Sequence, residues 1–208
     1  MGKFVLDLGW PAIITFTGIF LTAVGGVWGV LEKKQSEVNR QTEIINMITG
    51  GDSYCFFDVT YPGKKSNVMD FHLVSAGKYR LFDVLVQIVD VEKLEEIKKE
   101  KENVGQIPFD SIAMFDDMYM KASRIIDIGN FGPNQEYPPI GIPIPTDVDK
   151  KSFNIEISAR NGSVRQAVRL WRINHEWKMA KRTMCNGKLL EEVADPDFPR
   201  NKEGKVVW

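Results

Sequence analysis

Cysteine and histidine are scarce in this sequence, with two of each among 208 residues. Cys55, Cys185, His72 and His175 are widely separated, so no spacing typical of a zinc site is present. The sequence also lacks a glycine-rich phosphate loop, a dinucleotide-binding fingerprint and a calcium loop. The two cysteines fit either one disulfide or two reduced buried thiols and do not identify the compartment. We therefore predict neither a metal nor a cofactor.

A complete serine-hydrolase signature is missing as well. Gly51-Asp52-Ser53 is similar to the nucleophile block of GDS-type lipases and esterases, which need a later Asp and His with two residues between them. Neither His72 nor His175 has an Asp three positions before it. The motif is better explained by glycines that end a helix before a first strand. We predict that the protein is not an enzyme, and the alternative is a hydrolase with an unrecognised site.

Charge is absent from residues 11–31, although 26% of the whole chain is charged. A helix over 10–31 would be roughly 30 Å long at about 1.5 Å per residue, which matches the hydrocarbon core of a bilayer. Trp10 and Trp28 lie near its two ends, where interfacial aromatic residues are favoured. A cleavable signal peptide is the alternative, from Lys3 and the small residues at 23–25. We predict a single-pass transmembrane helix, with residues 1–31 forming a short tail and this span.

The basic residues that flank the span predict its orientation. Lys3 precedes it, whereas Lys33, Lys34 and Arg40 follow it. By the positive-inside rule, the larger part of the chain lies in the cytoplasm.

Small residues recur every four positions within the span, at Gly18, Thr22 and Gly26. This spacing lets two helices approach closely in lipid, so we predict a helix-packing face and self-association. The alternative is that glycine is simply more frequent in membrane helices than in soluble ones.

The residues after the span predict a helical stalk over 32–50, which contains good helix formers. Gly50-Gly51 then ends the helix, because glycine accepts the left-handed backbone conformation at a helix end. Residues 51–208 form the remaining domain.

The apolar period in this domain changes to two, which indicates β-strands. We predict strands at 54–60, 67–74, 79–90, 122–128, 152–159, 163–173, 176–185 and 188–193. Asn161-Gly162 and Asn186-Gly187 favour tight hairpins, so the last four strands should form an antiparallel meander. Short helices are predicted at 91–103 and 111–120, the second capped by Ser111 or Asp110. The proline-rich run 129–145 is a long loop or an edge segment. The predicted fold class is mainly β, an antiparallel β-sandwich with short helical insertions.

One face of the predicted meander is basic. Alternation places Val164, Val168 and Leu170 in the core and opposite side chains on the outer face. The candidate face for an anionic partner comprises Arg165, Arg169, Trp171, Lys178 and Arg182. An anionic lipid headgroup or an acidic protein surface would fit it. Nucleic acid is a disfavoured partner because the domain has almost no net charge.

Four segments together resemble a group of uncharacterised bacterial proteins that have one membrane span and one β-rich domain. The segments are TGGDSYC at 49–55, GKYRLFDVLVQIVD at 77–90, ARNGSVRQ at 159–166 and DPDFP at 195–199, with Trp177 between the last two. The resemblance implies a bacterial source and a recurring architecture, and it implies no activity. With the predicted span, it places the protein in a bacterial inner membrane.

Three functions are compatible with these observations. The preferred one is a membrane-anchored, non-enzymatic binding, sensor or scaffold protein that contacts the lipid bilayer and forms homo-oligomers or binds a partner protein. The alternatives are a membrane effector whose helices cluster into a pore on activation, and the hydrolase with an unrecognised site.

Overall fold

The structure, a computed structural model, describes residues 10–61, 67–103 and 112–208. Within these ranges, the side chains at 10–16, 18, 19, 23, 103 and 112–115 lie outside the description. The chain divides into two units, Met1–Asn46 and Met47–Trp208. The elements in chain order are α1 (Trp10–Thr49), β1 (Tyr54–Thr60), β2 (Val68–Ala76), β3 (Leu81–Asp90), α2 (Val91–Asn103), α3 (Ile112–Ala122), β4 (Ser123–Phe131), β5 (Ile140–Pro143), β6 (Lys150–Ala159), β7 (Gly162–Ile173), β8 (Glu176–Cys185) and β9 (Lys188–Ala194).

Helix α1 is continuous over 40 residues, so the helix predicted for 10–31 and the predicted stalk form one element. It ends where the glycine pair predicts, with Gly50 and Gly51 at φ values of 96° and 55°. In the part of the chain that the structure describes, no helix combines the length and apolar character needed to cross a bilayer. Thr22 and Gly26 of the predicted packing face are exposed, whereas Gly18 is one of the positions whose side-chain surroundings lie outside the description.

The strands form two antiparallel sheets, so the mainly β class is confirmed. The small sheet has the order β1-β2-β5, and the large sheet has the order β4-β3-β6-β7-β8-β9. Strands β6 to β9 form the predicted meander. Both predictions for the proline-rich run hold in part, because 132–139 form a loop and Ile140–Pro143 form the short edge strand β5 beside β2.

Both sheets contribute side chains to one core. Phe57 of β1 contacts Phe71 of β2 edge-on, with ring centroids 5.8 Å apart. Phe71 in turn contacts Phe153 of the large sheet at 5.6 Å. Edge-to-face aromatic pairs add specific attraction to apolar burial. This row of rings joins the two sheets across the core.

The two helices between β3 and β4 fall close to their predicted positions. The Asp90 side chain accepts a hydrogen bond from the Lys93 backbone N–H at 3.1 Å and so caps the start of α2. Lys101 of α2 and Asp117 of α3 form an ion pair at 3.0 Å. The predicted cap of α3, Ser111 or Asp110, lies outside the described residues.

The C-terminal segment after β9 builds a second, smaller core that the periodicity did not predict. Phe198 and Val206 pack with Ala180 of β8, and Trp171 and Trp208 adjoin this cluster. Because Ala180 and Trp171 point away from the main core, the segment covers part of the outer face of the large sheet.

Candidate functional site

The five residues of the predicted basic face lie on one face of the large sheet. Arg165, Arg169 and Trp171 alternate with buried residues along β7. On β8, Arg182 is opposite Ala167 and Lys178 is opposite Trp171. Because directly opposed residues point to the same side, all five project from the outer face.

Trp171 and Lys178 both have partners within the protein. The Trp171 ring contacts Phe198 at a centroid distance of 6.3 Å. The Lys178 ammonium forms an ion pair with Glu176 at 3.2 Å. Trp171 therefore contributes to packing, and Lys178 has a charge partner on its own strand.

Arg169 has a structural role. Its guanidinium donates to the backbone carbonyls of Phe153 and Val168 at 2.9 and 3.1 Å. It also donates to the Asn154 side-chain oxygen at 2.9 Å. Burial lowers the pKa of Arg169, while nearby Glu92 acts in the opposite direction. These hydrogen bonds join β6 to β7, so the Arg169 guanidinium stabilises the sheet.

Arg182 and Arg165 differ in how firmly each is held. Arg182 donates to one Glu192 carboxylate oxygen through Nε and Nη2, both at 2.8 Å, and lies 4.2 Å from the centre of the Trp208 ring. Arg165 reaches Glu156 only at 3.5 Å, and its side chain is 73% exposed. A guanidinium carries five N–H donors, so this long contact leaves Arg165 able to bind a further acceptor.

Arg165 and Arg182 line a cleft of about 420 Å³ on the outer face. Gln87 and Asn154 add amide groups, and Tyr119 of α3 contributes to the lining. The remaining lining residues are Val89, Ile155, Glu156, Gln166, Ala167 and Met184. The lining thus combines cationic, anionic, amide and apolar groups.

The lining residues on β3 and β6 were not predicted as part of a site. Alternation along 152–159 places Asn154 and Glu156 outside, but only the register sets Glu156 between Gln87 and Arg165. Tyr119 carries no signal in the sequence, because its position depends on how α3 packs. A cleft across several strands becomes visible only when pairing is known.

Ser53 of the GDS motif belongs to a structural junction. Its hydroxyl accepts a hydrogen bond from the Tyr79 backbone N–H at 2.8 Å, and the residue is buried. The Asn161 side chain donates to the carbonyls of Ser53 and Gly51 at 2.6 and 3.0 Å. Three segments of the bacterial resemblance, at 49–55, 77–90 and 159–166, therefore meet here.

Arg160 extends this junction to the last turn of α1. Its guanidinium donates to the carbonyl of Ile48 at 3.3 Å and pairs with Asp83 at 2.8 Å. Carbonyls in the last turn of a helix lack partners within the helix, and an arginine side chain can satisfy them. Gly77 lies against Ser53, since a Cβ built on Gly77 would be 2.4 Å from the Ser53 hydroxyl oxygen. We call the contacts of Ser53, Gly77, Arg160 and Asn161 the helix junction.

Trp177 faces the main core, as alternation along β8 predicts, but it is only partly buried. Alternation along 176–185 puts Trp177 on the face of Met179 and predicts that it is buried, so this prediction is wrong in degree. The Arg172 guanidinium lies 4.6 Å from the centre of its ring. A cation–π contact at the rim of the core thus takes the place of complete enclosure.

The comparisons with known proteins add no assignment, since no family model, curated protein or solved structure matches the sequence. Among the described residues, no three His, Cys, Asp or Glu side chains are grouped to hold a metal ion.

Proposed function

We propose that this protein is a non-enzymatic binding protein whose outer-face cleft receives a carboxylate of an acidic partner protein. The observation that carries this proposal is the exposure of Arg165 beside the cleft, with only a long contact to Glu156. An incoming carboxylate can form the short, paired hydrogen bonds with Arg165 that Glu156 does not form.

The other lining residues favour a protein carboxylate over a polyanion. Glu156 lies within the cleft and Glu192 neutralises Arg182 at its border. A run of phosphates would meet this negative charge, whereas a single acidic side chain can reach Arg165 alone. The neighbouring Ala167 and Met184, which are partly exposed, supply apolar contact for the rest of the partner.

Binding of a fluorescent peptide that carries one glutamate among alanines, measured with the full chain at low ionic strength, tests this assignment. Arg165→Ala should weaken binding by about ten- to a hundredfold, because a hydrogen bond to a charged group contributes about 1.5–3 kcal/mol. Lys178→Ala is the matched control, since Lys178 lies on the same face with its own carboxylate but does not line the cleft.

Equal affinities of wild type, Arg165→Ala and Lys178→Ala would contradict the proposal. Stronger binding to vesicles of anionic lipid than to the peptide, with the same dependence on Arg165, would assign the cleft to a headgroup instead.

Attachment to the bacterial inner membrane through α1 is part of the proposal, and its support comes from the sequence and from exposed apolar side chains. Phe20 and Trp28 are 68% and 65% exposed, and Leu21, Val27 and Leu31 are exposed as well. Apolar surface of this extent usually marks a binding surface for lipid or protein. Retention of the full chain in the membrane pellet after carbonate extraction is the expected result, and release into the supernatant would contradict attachment.

Self-association through α1 is the second part. At 100° per residue, Gly18, Thr22 and Gly26 fall on the side of the helix away from Phe20. A Cβ built on Gly26 meets no atom within 4 Å, so that side of the described helix is open. Gly18→Leu/Gly26→Leu should lower crosslinking between copies while keeping the segment apolar. Unchanged crosslinking would leave α1 as a simple anchor and remove the support for a pore.

A further inference from the structure

Strand β9 forms one edge of the large sheet and is hydrogen-bonded to β8 alone among the described strands. Its first six residues are exposed, including Leu189 at 57% and Leu190 at 45%. The free side of an edge strand presents unpaired N–H and C=O groups, which can pair with a strand of another chain. An exposed edge that also carries leucines is a surface suited to such pairing.

The unequal width of the two sheets explains this exposure. The small sheet has three strands and the large sheet has six, so the small one cannot cover the whole inner face. Val193 points to that inner face, opposite Lys181, and is still 51% exposed. The small sheet therefore does not cover the inner face of β9.

We propose that β9 pairs antiparallel with β9 of a second copy of this chain, which joins two large sheets edge to edge. A two-fold axis perpendicular to the sheet relates the two strands in such a pair. Opposed residues must then point to the same face of the sheet.

The distribution of charge along β9 selects one register. Lys188 is opposite Cys185 on β8 and Glu191 is opposite Thr183, so both point to the inner face. The register that opposes Lys188 to Glu191 of the second copy creates two symmetric ion pairs. The same register brings Leu189 opposite Leu190 of the second copy. Leu190 has no partner on β8, because the pairing of β8 with β9 shifts by one residue between Thr183 and Met184. An axis centred on Glu191 or Glu192 would instead oppose like charges.

A contact of one short strand is small compared with a stable dimer interface of about 1,200–2,000 Å². Copies held together by α1 would raise the effective concentration of β9 and so favour the pair. The β9 pairing thus rests in part on the proposed self-association of α1, but it involves different residues and is tested separately.

Site-specific crosslinking of the full chain tests the register. A Leu189→Cys variant with Cys185→Ser is treated with a short bis-maleimide, and the dimer fraction is read on a denaturing gel. Lys188→Glu should lower the dimer fraction about fivefold, because two attractive cross-strand pairs become repulsive. Glu191→Lys should act similarly.

The charge-reversed combination decides the outcome. Lys188→Glu/Glu191→Lys should restore the wild-type dimer fraction, and a mixture of the two single variants should crosslink more than either alone. Lys205→Glu is the control for a change of net charge, since Lys205 is exposed and pairs with Glu203 outside β9. Melting temperatures are compared because Glu191 also pairs with Lys181 at 3.1 Å.

No crosslinked dimer, or a dimer fraction that charge reversal does not change, would overturn the β9 pairing. The same measurement on Gly18→Leu/Gly26→Leu separates the two contacts. If only the proposed helix contact is wrong, the dimer fraction will still depend on Lys188. If only the proposed β9 contact is wrong, the dimer fraction will not depend on Lys188.

Discussion

Gln166 links the two sheets and offers the sharpest test of how they are joined. It lies on β7 among core residues and is only 2% exposed. Its side-chain oxygen accepts from the Phe57 backbone N–H at 2.6 Å, and its amide donates to the Phe57 carbonyl at 3.0 Å. A further bond at 3.1 Å joins it to the Thr183 hydroxyl. Because β1 is an edge strand, this amide takes the place of a neighbouring strand at Phe57.

Replacement of Gln166 by Leu keeps the size of the side chain but leaves both Phe57 backbone groups without a partner. Each unsatisfied buried group costs about 1–3 kcal/mol, so we expect the free energy of unfolding to fall by about 3 kcal/mol. For a domain of this size, that loss lowers the melting temperature by about 6–12 °C. Circular dichroism of the full chain during heating and urea unfolding measures both quantities.

Gln87→Leu is the matched control, because Gln87 is a strand residue on the opposite face with one weak contact to Ser123 at 3.4 Å. It should change the free energy of unfolding by less than about 0.5 kcal/mol.

Gln166→Glu provides a second test, since a neutral carboxyl can donate a hydrogen bond to the Phe57 carbonyl and a carboxylate cannot. Burial raises the pKa of that carboxyl, so the variant should regain stability relative to wild type as pH falls. Equal melting temperatures for Gln166→Leu and Gln87→Leu would refute the role assigned to Gln166.

Two further predictions concern the helix junction and a buried thiol. Gly77→Ala should destabilise the protein by about 2–4 kcal/mol in urea unfolding, because a Cβ there would lie 2.4 Å from the Ser53 hydroxyl at a φ of +109°. Gly187→Ala, at a φ of +79° in open space, should cost only about 1–2 kcal/mol, and equal losses would argue against close packing at Gly77. Burial raises the pKa of the Cys55 thiol from 9.0 to about 12, so between these values the unfolded chain loses a proton that the folded chain keeps. Stability should therefore fall as pH rises through that window, and it should fall less steeply in Cys55→Ala; equal slopes would show that Cys55 ionises normally in the folded chain.

Features that depend on nearby residues were predictable from the sequence. The bounds of β1, α2 and β8 agree with their predicted positions, because apolar period and helix propensity act over a few residues. The end of α1 before Gly50 and the hairpins at Asn161-Gly162 and Asn186-Gly187 accompany positive φ values at Gly50, Gly162, Asn186 and Gly187. Alternation alone placed Arg165 and Arg169 outside the core.

Features that depend on distant residues required the tertiary structure. Gln166 looks like a polar interruption of β7 until Phe57, 109 positions earlier, is placed beside it. Arg165 lines an open cleft while Trp171, on the same face and strand, is covered by the C-terminal segment. Alternation assigns a side chain to a face but not to the neighbour that covers it. Strand pairing and sheet packing decided which outer residues form a site, because those contacts join segments far apart in sequence.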